Sequence, residues 1–189
     1  ALEVPQWTLT AIDPDLWSEG EALFATSCAT CHGNYSGDTD RTFPDRVEDV
    51  GTDSFRHTQM RSQEADWIQN SWFGQDSEFT DTDGYLAPVL HGVWATPPYF
   101  HNGAAPTLWS VLDSPSRPAV WTQQGQSRED YDTDRIGLVF DTYGSAADAP
   151  DATLVHDASL HAMGNEGHTF GDGFTDDQRF AVLEYLKSL

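Results

Sequence analysis

Apolar positions fall into two helical stripes, one near each end of the chain. Near the front, Leu16, Gly20, Leu23, Phe24 and Cys28 follow Asp13-Pro14. Asp is a favoured N-cap and Pro suits the first helical turn, so a helix is predicted to open there. Gly20, Phe24 and Cys28 are spaced by four and share one face, where a glycine lets another helix come close. Near the end, Thr175-Asp-Asp-Gln178 reads as a capping box leading into a stripe of Phe180, Val182, Leu183, Tyr185, Leu186 and Leu189.

The middle is less regular. A helix is expected over about 54–73, with Asp53 as its cap and Ala65, Ile68 and Trp72 on one face. Pro106 reads as the start of a short helix with Leu108, Val111 and Leu112 inward. Residues 1–12 carry Trp7 and Leu9 without a helical period and read as an arm. Residues 33–50 form a polar loop holding Tyr35, Phe43 and Pro44. Asp81-Thr-Asp83-Gly84 has the opening of a calcium loop but lacks its closing Glu, so it is read as a turn. Residues 113–159 are rich in Asp, Gly, Ser, Gln and Pro and too long for an ordinary connection. They read as an insertion with its own packing or a functional flap, with Ile136, Leu138, Val139 and Phe140 in one short strand. The expected fold is mainly α: a single domain over 13–189 with long loops and that inserted irregular segment.

Cys28-Ala29-Thr30-Cys31-His32 changes the picture, because Cys-x-x-Cys-His is the attachment sequence of c-type haem. Two thiols three apart on a helical turn add across the vinyl groups of one porphyrin. The adjacent imidazole is then held under the ring as proximal iron ligand. Cys-x-x-Cys also occurs in redox dithiols and zinc sites. A zinc site needs further Cys or His close by, and the chain has only 2 Cys. A thioredoxin-like dithiol needs a βαβ context, and none precedes it. One haem c, bound through Cys28 and Cys31, is the expectation. It uses both thiols, so no disulfide is available.

Charge narrows the partners. The 31 acidic and 9 basic residues give a formal charge of −22, which excludes nucleic-acid phosphates as a partner. The acids either steer a basic redox partner or solvate a surface suited to salt, and their even spread favours the second. No apolar run is long enough for a membrane span. Thioether attachment takes place outside the cytoplasm, so a periplasmic or extracellular protein is expected, with Ala1 as the mature start after a leader is removed.

Gly20-x-x-x-Phe24-x-x-x-Cys28-x-x-Cys31-His32 resembles the first helix of class I cytochromes c, and Glu184-Tyr185-Leu186-Lys187 resembles their last. The resemblance implies that these two helices cross. Leu86 to Leu108, with Pro97-Pro98-Tyr99-Phe100-His101-Asn102-Gly103 at its centre, is similar to a segment of bacterial di-haem cytochrome c peroxidases and, more closely, of the haem-containing rubber oxygenases. Arg117-Pro118 and Tyr131-Asp132 have counterparts in the latter. The likeness covers the second, electron-delivering haem domain of those families, which carry two Cys-x-x-Cys-His motifs where this chain carries one. By itself the segment reads as an extended stretch followed by a turn, with His101 ordering the turn by hydrogen bonding. Phe24, Trp94, Tyr99 and Phe100 are expected to wall the haem.

A second axial ligand remains to be found among Met60, Met163, His168 and the other histidines. In class I cytochromes the distal ligand sits on a loop just before the final helix. His168 lies there, in Gly164-Asn165-Glu166-Gly167-His168-Thr-Phe170-Gly171, a pattern that resembles a histidine-ligand loop of the rubber-oxygenase relatives. His32/His168 ligation is the expectation and Met163 the alternative; His57, His91, His156 and His161 are read as surface or loop residues. Two imidazoles imply a lower potential than a methionine ligand gives and leave no open coordination site. The function expected is electron transfer, without catalysis, between redox proteins. The competing readings are a haem enzyme of the di-haem peroxidase or oxygenase type and a haem subunit of a larger, even polymeric, assembly.

Overall fold

Two helices from opposite ends of the chain cross at a glycine. In the computed structural model, which describes residues 3–35, 42–44, 46–59, 63–76 and 84–189, α1 spans Pro14–Ser27 and α2 Ala29–His32. Helices α3 (Phe55–Gln59), α4 (Gln63–Asn70) and α5 (Leu108–Leu112) lie between, and α6 (Asp176–Leu186) closes the fold. A Cβ on Gly20 would stand 1.9 Å from the Ala181 carbonyl oxygen, so α6 lies directly against α1 there. Trp17 donates from Nε1 to Ser188 Oγ (2.8 Å), and Phe24 packs on Tyr185 (5.1 Å between ring centres). The caps read from sequence are present. Asp13 accepts from the amides of Asp15 and Leu16, and Thr175 and Gln178 bond reciprocally.

The mainly α expectation does not hold. Among the described residues, six α-helices share the chain with seven short strands in three small sheets, and only α1 (14 residues) and α6 (11 residues) are long. Strands β1 (Val47–Glu48) and β2 (Tyr85–Leu86) pair antiparallel. In the insertion, β3 (Val120–Gln123) is the centre of a sheet flanked by β6 (Phe140–Thr142) and β7 (His156–Asp157). Strand β4 (Tyr131–Asp132) pairs with β5 (Gly137–Leu138). The single strand expected from Ile136 to Phe140 is therefore two strands in different sheets. The β-branched and aromatic run Val120-Trp121-Thr122 supplies the central strand. Strands of two to four residues are too short to show an alternating pattern.

The helix expected over 54–73 ends early. Asp53 Oδ1 accepts from the Phe55 amide as expected and residues 60–62 lie outside the described residues, but the helix stops at Asn70 and Trp72 opens a short 3₁₀ turn. Trp72 is exposed and stacks on Phe73 rather than facing a core. Thr107, not Pro106, caps α5, its side chain accepting from the Ser110 amide at 3.1 Å. Met60 and the 81–83 part of the calcium-like turn lie outside the described residues.

The insertion is built into the core. Ile136 is fully buried, and the carbonyls of Ile136 and Arg135 accept from the first two amides of α5, Leu108 (2.8 Å) and Trp109 (3.1 Å). The front segment is likewise packed: Trp7 meets Trp94 edge-on at 5.3 Å and lies beside Lys187. None of the described helices is long and apolar enough to cross a membrane.

Candidate functional site

Helix α1 ends where the Cys28 amide bonds to the Phe24 carbonyl (2.8 Å), and the next turn carries the motif. The His32 amide bonds back to Cys28 O at 2.9 Å, and Gly33, at φ +87°, turns the chain away. Both cysteines are unbridged and half-buried. Burial, reinforced by Cys31, pushes the Cys28 thiol up to about 11.

His32 is oriented from behind. Its Nδ1 lies 3.0 Å from the Pro88 carbonyl oxygen, which only accepts, so Nδ1 carries the proton and Nε2 keeps a lone pair. Tyr35 supports the same turn: its hydroxyl donates to the His32 carbonyl (3.1 Å) and accepts from the Leu90 amide (2.6 Å). The sequence marks Tyr35 only as part of a polar loop. Its signal is local, three residues past the histidine, but its partner Leu90 is 55 residues away.

Across from His32 stands His168. Their ring centres are 6.3 Å apart with planes at 58°. Two metal–imidazole bonds of about 2 Å each, plus the distance from each nitrogen to its own ring centre, span that length. Burial lowers the His32 pKa, and it pushes His168 down to about 4, with His32 and the Arg117 cation adding to the fall. Both rings are therefore neutral near pH 7, the form that binds iron.

His168 sits at a contorted place. It has φ +44°, unusual for a side-chain-bearing residue, and follows Gly167 at φ +75°. A Cβ on Gly167 would lie 2.2 Å from the Gly51–Thr52 backbone, and the His168 amide donates to Val50 O at 2.8 Å. The distal turn is thus seated on residues 50–52. Met163 closes a turn on Leu160 O five residues earlier, and its carbonyl accepts from His156 Nε2 at 3.0 Å.

The expected wall residues divide. Phe100, at φ +66°, is 5.9 Å from the His168 ring. Phe24 lies between Tyr35 and Tyr185 in the helix-crossing core. Trp94 and Tyr99 belong to the same continuous core, which also takes in Cys28 and Phe100. Among the described residues, five buried side-chain polar atoms lack a hydrogen-bond partner, which is uncommon in native proteins: Trp94 Nε1, Tyr99 OH and His168 Nδ1, with His57 Nδ1 and Trp121 Nε1 elsewhere. His101 turns elsewhere: it stacks on Tyr85 (4.6 Å) and its Nε2 lies 3.7 Å from the Asp53 carboxylate.

The facing imidazoles, the two free thiols beside one of them and the orphaned donors fit a haem. Cys28 and Cys31 would hold it covalently, and His32 and His168 would be its iron ligands. Bound there, iron supplies reversible one-electron chemistry.

Comparison with known proteins adds independent findings. Residues 84–122 match the model of a family described as RoxA-like, cytochrome c-like. The chain is 30% identical over 217 aligned positions to the uncharacterized protein y4iM of Sinorhizobium fredii, covering 89% of this chain and 47% of the relative. It is 25% identical to the uncharacterized protein y4iJ of the same organism, covering 100% of this chain and 41% of the relative. The chain thus spans about half the length of the relatives it matches or less. The family match, meeting the Cys-x-x-Cys-His turn and its facing imidazole, supports a cytochrome c-like domain with a haem-binding role.

Proposed function

We propose that this chain carries one haem c, ligated by His32 and His168, and that it transfers electrons without performing catalysis. The observation that carries this reading is the 6.3 Å separation of two half-buried imidazoles, one of them adjacent to two free thiols. Each side chain has a definite role. Cys28 and Cys31 anchor the porphyrin, and the His32 Nδ1–Pro88 bond fixes the proximal ring and raises its basicity. His168 would be the second protein ligand, leaving no open site for peroxide or dioxygen. Trp94 Nε1 and Tyr99 OH are buried donors without a partner and would be free to bond polar groups of the haem.

Two imidazoles place the potential below that of a His/Met cytochrome. An exported protein exchanging electrons with other redox proteins fits thioether chemistry. The −22 charge favours basic partners at low salt.

Near-infrared and resonance-Raman spectra of the holo protein test the reading. Native protein is expected to show two nitrogen ligands and no carbon monoxide binding when reduced, and His168→Met a sulfur ligand or an open site. Sulfur bonding in the native spectrum would transfer the distal role to Met163. Rapid carbon monoxide binding would favour an enzyme. Colourless protein with free thiols would remove the haem altogether.

A further inference from the structure

One buried cation ties the turn that bears His168 to α5. Arg117 is 8% exposed, and five hydrogen bonds run from its guanidinium, each to a backbone carbonyl. Nε donates to Ser110 O (2.7 Å). Nη1 donates to Asn165 O (2.9 Å) and Gly167 O (2.6 Å), and Nη2 to Val111 O (3.1 Å) and His168 O (3.0 Å). Three of these carbonyls belong to the turn that bears His168, and two belong to α5. The guanidinium also lies 4.8 Å from the centre of the Phe100 ring, which itself touches His168.

The geometry assigns Arg117 as the positioning residue of the distal ligand, an inference that rests on His168 being that ligand. His168 needs such a hold because its positive φ is unfavourable and is kept only when neighbours over-determine it. Guanidinium suits this role because it is planar, always charged and has five donors in a rigid fork. Lysine has the charge but three donors at a single point, so it cannot reach α5 and the turn together. With the fork in place the turn is held and His168 would remain a ligand of bound iron. Without it the turn would be freed and His168 would be released.

Arg117→Lys and Arg117→Gln in the holo protein test this. Both are expected to add a high-spin component to the ferric spectrum and to bind cyanide about 10- to 100-fold more tightly, the usual scale for losing a ligand's supporting bonds. Arg179→Met is the control, because Arg179 is equally buried but bonds Leu112 O, Asp172 O and Asp176, away from the turn. Its spectrum is expected to be native. Six-coordinate spectra and cyanide affinity within about twofold of wild type in both Arg117 variants, well short of that scale, would overturn the inference, as would an equal change in Arg179→Met. Should the Arg117 variants fail to retain haem, the wild type itself decides. Its Arg117 Nε–H is expected to resist solvent exchange and to lose that protection about tenfold or more when cyanide displaces His168; unchanged protection overturns the coupling. A wild-type spectrum lacking two imidazoles removes the ligand reading and this inference with it, whereas the other outcomes strike the inference alone.

Discussion

His168 remains neutral well into the acid range, and that makes it a source of pH-dependent stability. In the unfolded chain a histidine takes a proton near pH ~6.5; in the fold burial holds His168 at about 4. Its contribution is thus complete above pH ~6.5, declines as acid favours the unfolded chain, and is exhausted near pH 4. At ~1.4 kcal/mol for each pH unit separating the two values, the loss is roughly 3 kcal/mol. Denaturation midpoints followed from neutral pH down to about pH 4.5, in high salt, are expected to fall accordingly and to flatten in His168→Gln. Tyr35→Phe tests the opposite side. It removes the bridge between His32 O and Leu90 N and is expected to cost about 1–3 kcal/mol, read from the same midpoints. Single residues differ in how far sequence reveals them. His32 is marked by its own neighbours, and His168 by its position before the last helix. Tyr35 and Arg117 act through backbone carbonyls and amides, which carry no residue code, so nothing in the chain announces their partners.

The crossing of α1 and α6 is the element on which most of the packing converges, and Gly20 permits it. Gly20→Ala places a methyl 1.9 Å from Ala181 O, where the neighbour is backbone and cannot yield cheaply. Overpacking of this kind costs about 1–3 kcal/mol or more, and a lower melting temperature of the holo protein is the expected result. Thr175→Ala removes the hydroxyl half of the α6 capping box, a loss of about 1 kcal/mol measurable by denaturant titration. Both ends of the fold are legible because long helices repeat their apolar positions and advertise their caps. Strands β3 to β7 are not, since each is two to four residues long and most of their partners are distant in sequence. The α3–α4 region misleads for another reason. Ile68 and Trp72 match a helical period, yet Ser71 accepts from the Phe73 amide and starts a new turn before Trp72 can join the stripe.

At the scale of the molecule, charge is the dominant property. A formal −22 on 189 residues implies strong self-repulsion at low ionic strength. Screening shortens from ~30 Å at ~0.01 M to ~8 Å at ~0.15 M salt, so the melting temperature is expected to climb between those conditions. A flat response in calorimetry would mean that local pairing already neutralises the acids. The family match covers 84–122, and within it lie Phe100, Asn102 and Arg117. All three contact residues 162–168: Phe100 meets the His168 ring, Arg117 donates to Gly167 O, and Asn102 donates to Ala162 O (3.4 Å) and Gly164 O (2.8 Å).

The insertion cannot be treated as an ornament that engineers trim to obtain a minimal haem carrier. The carbonyls of residues 135 and 136 accept from the first two amides of α5, and Arg117 enters from the same stretch. A shortened version spliced from Leu112 to Leu160 would keep both thiols and both imidazoles on paper. It would nevertheless surrender the Arg117 fork that fastens the turn carrying the second imidazole to α5.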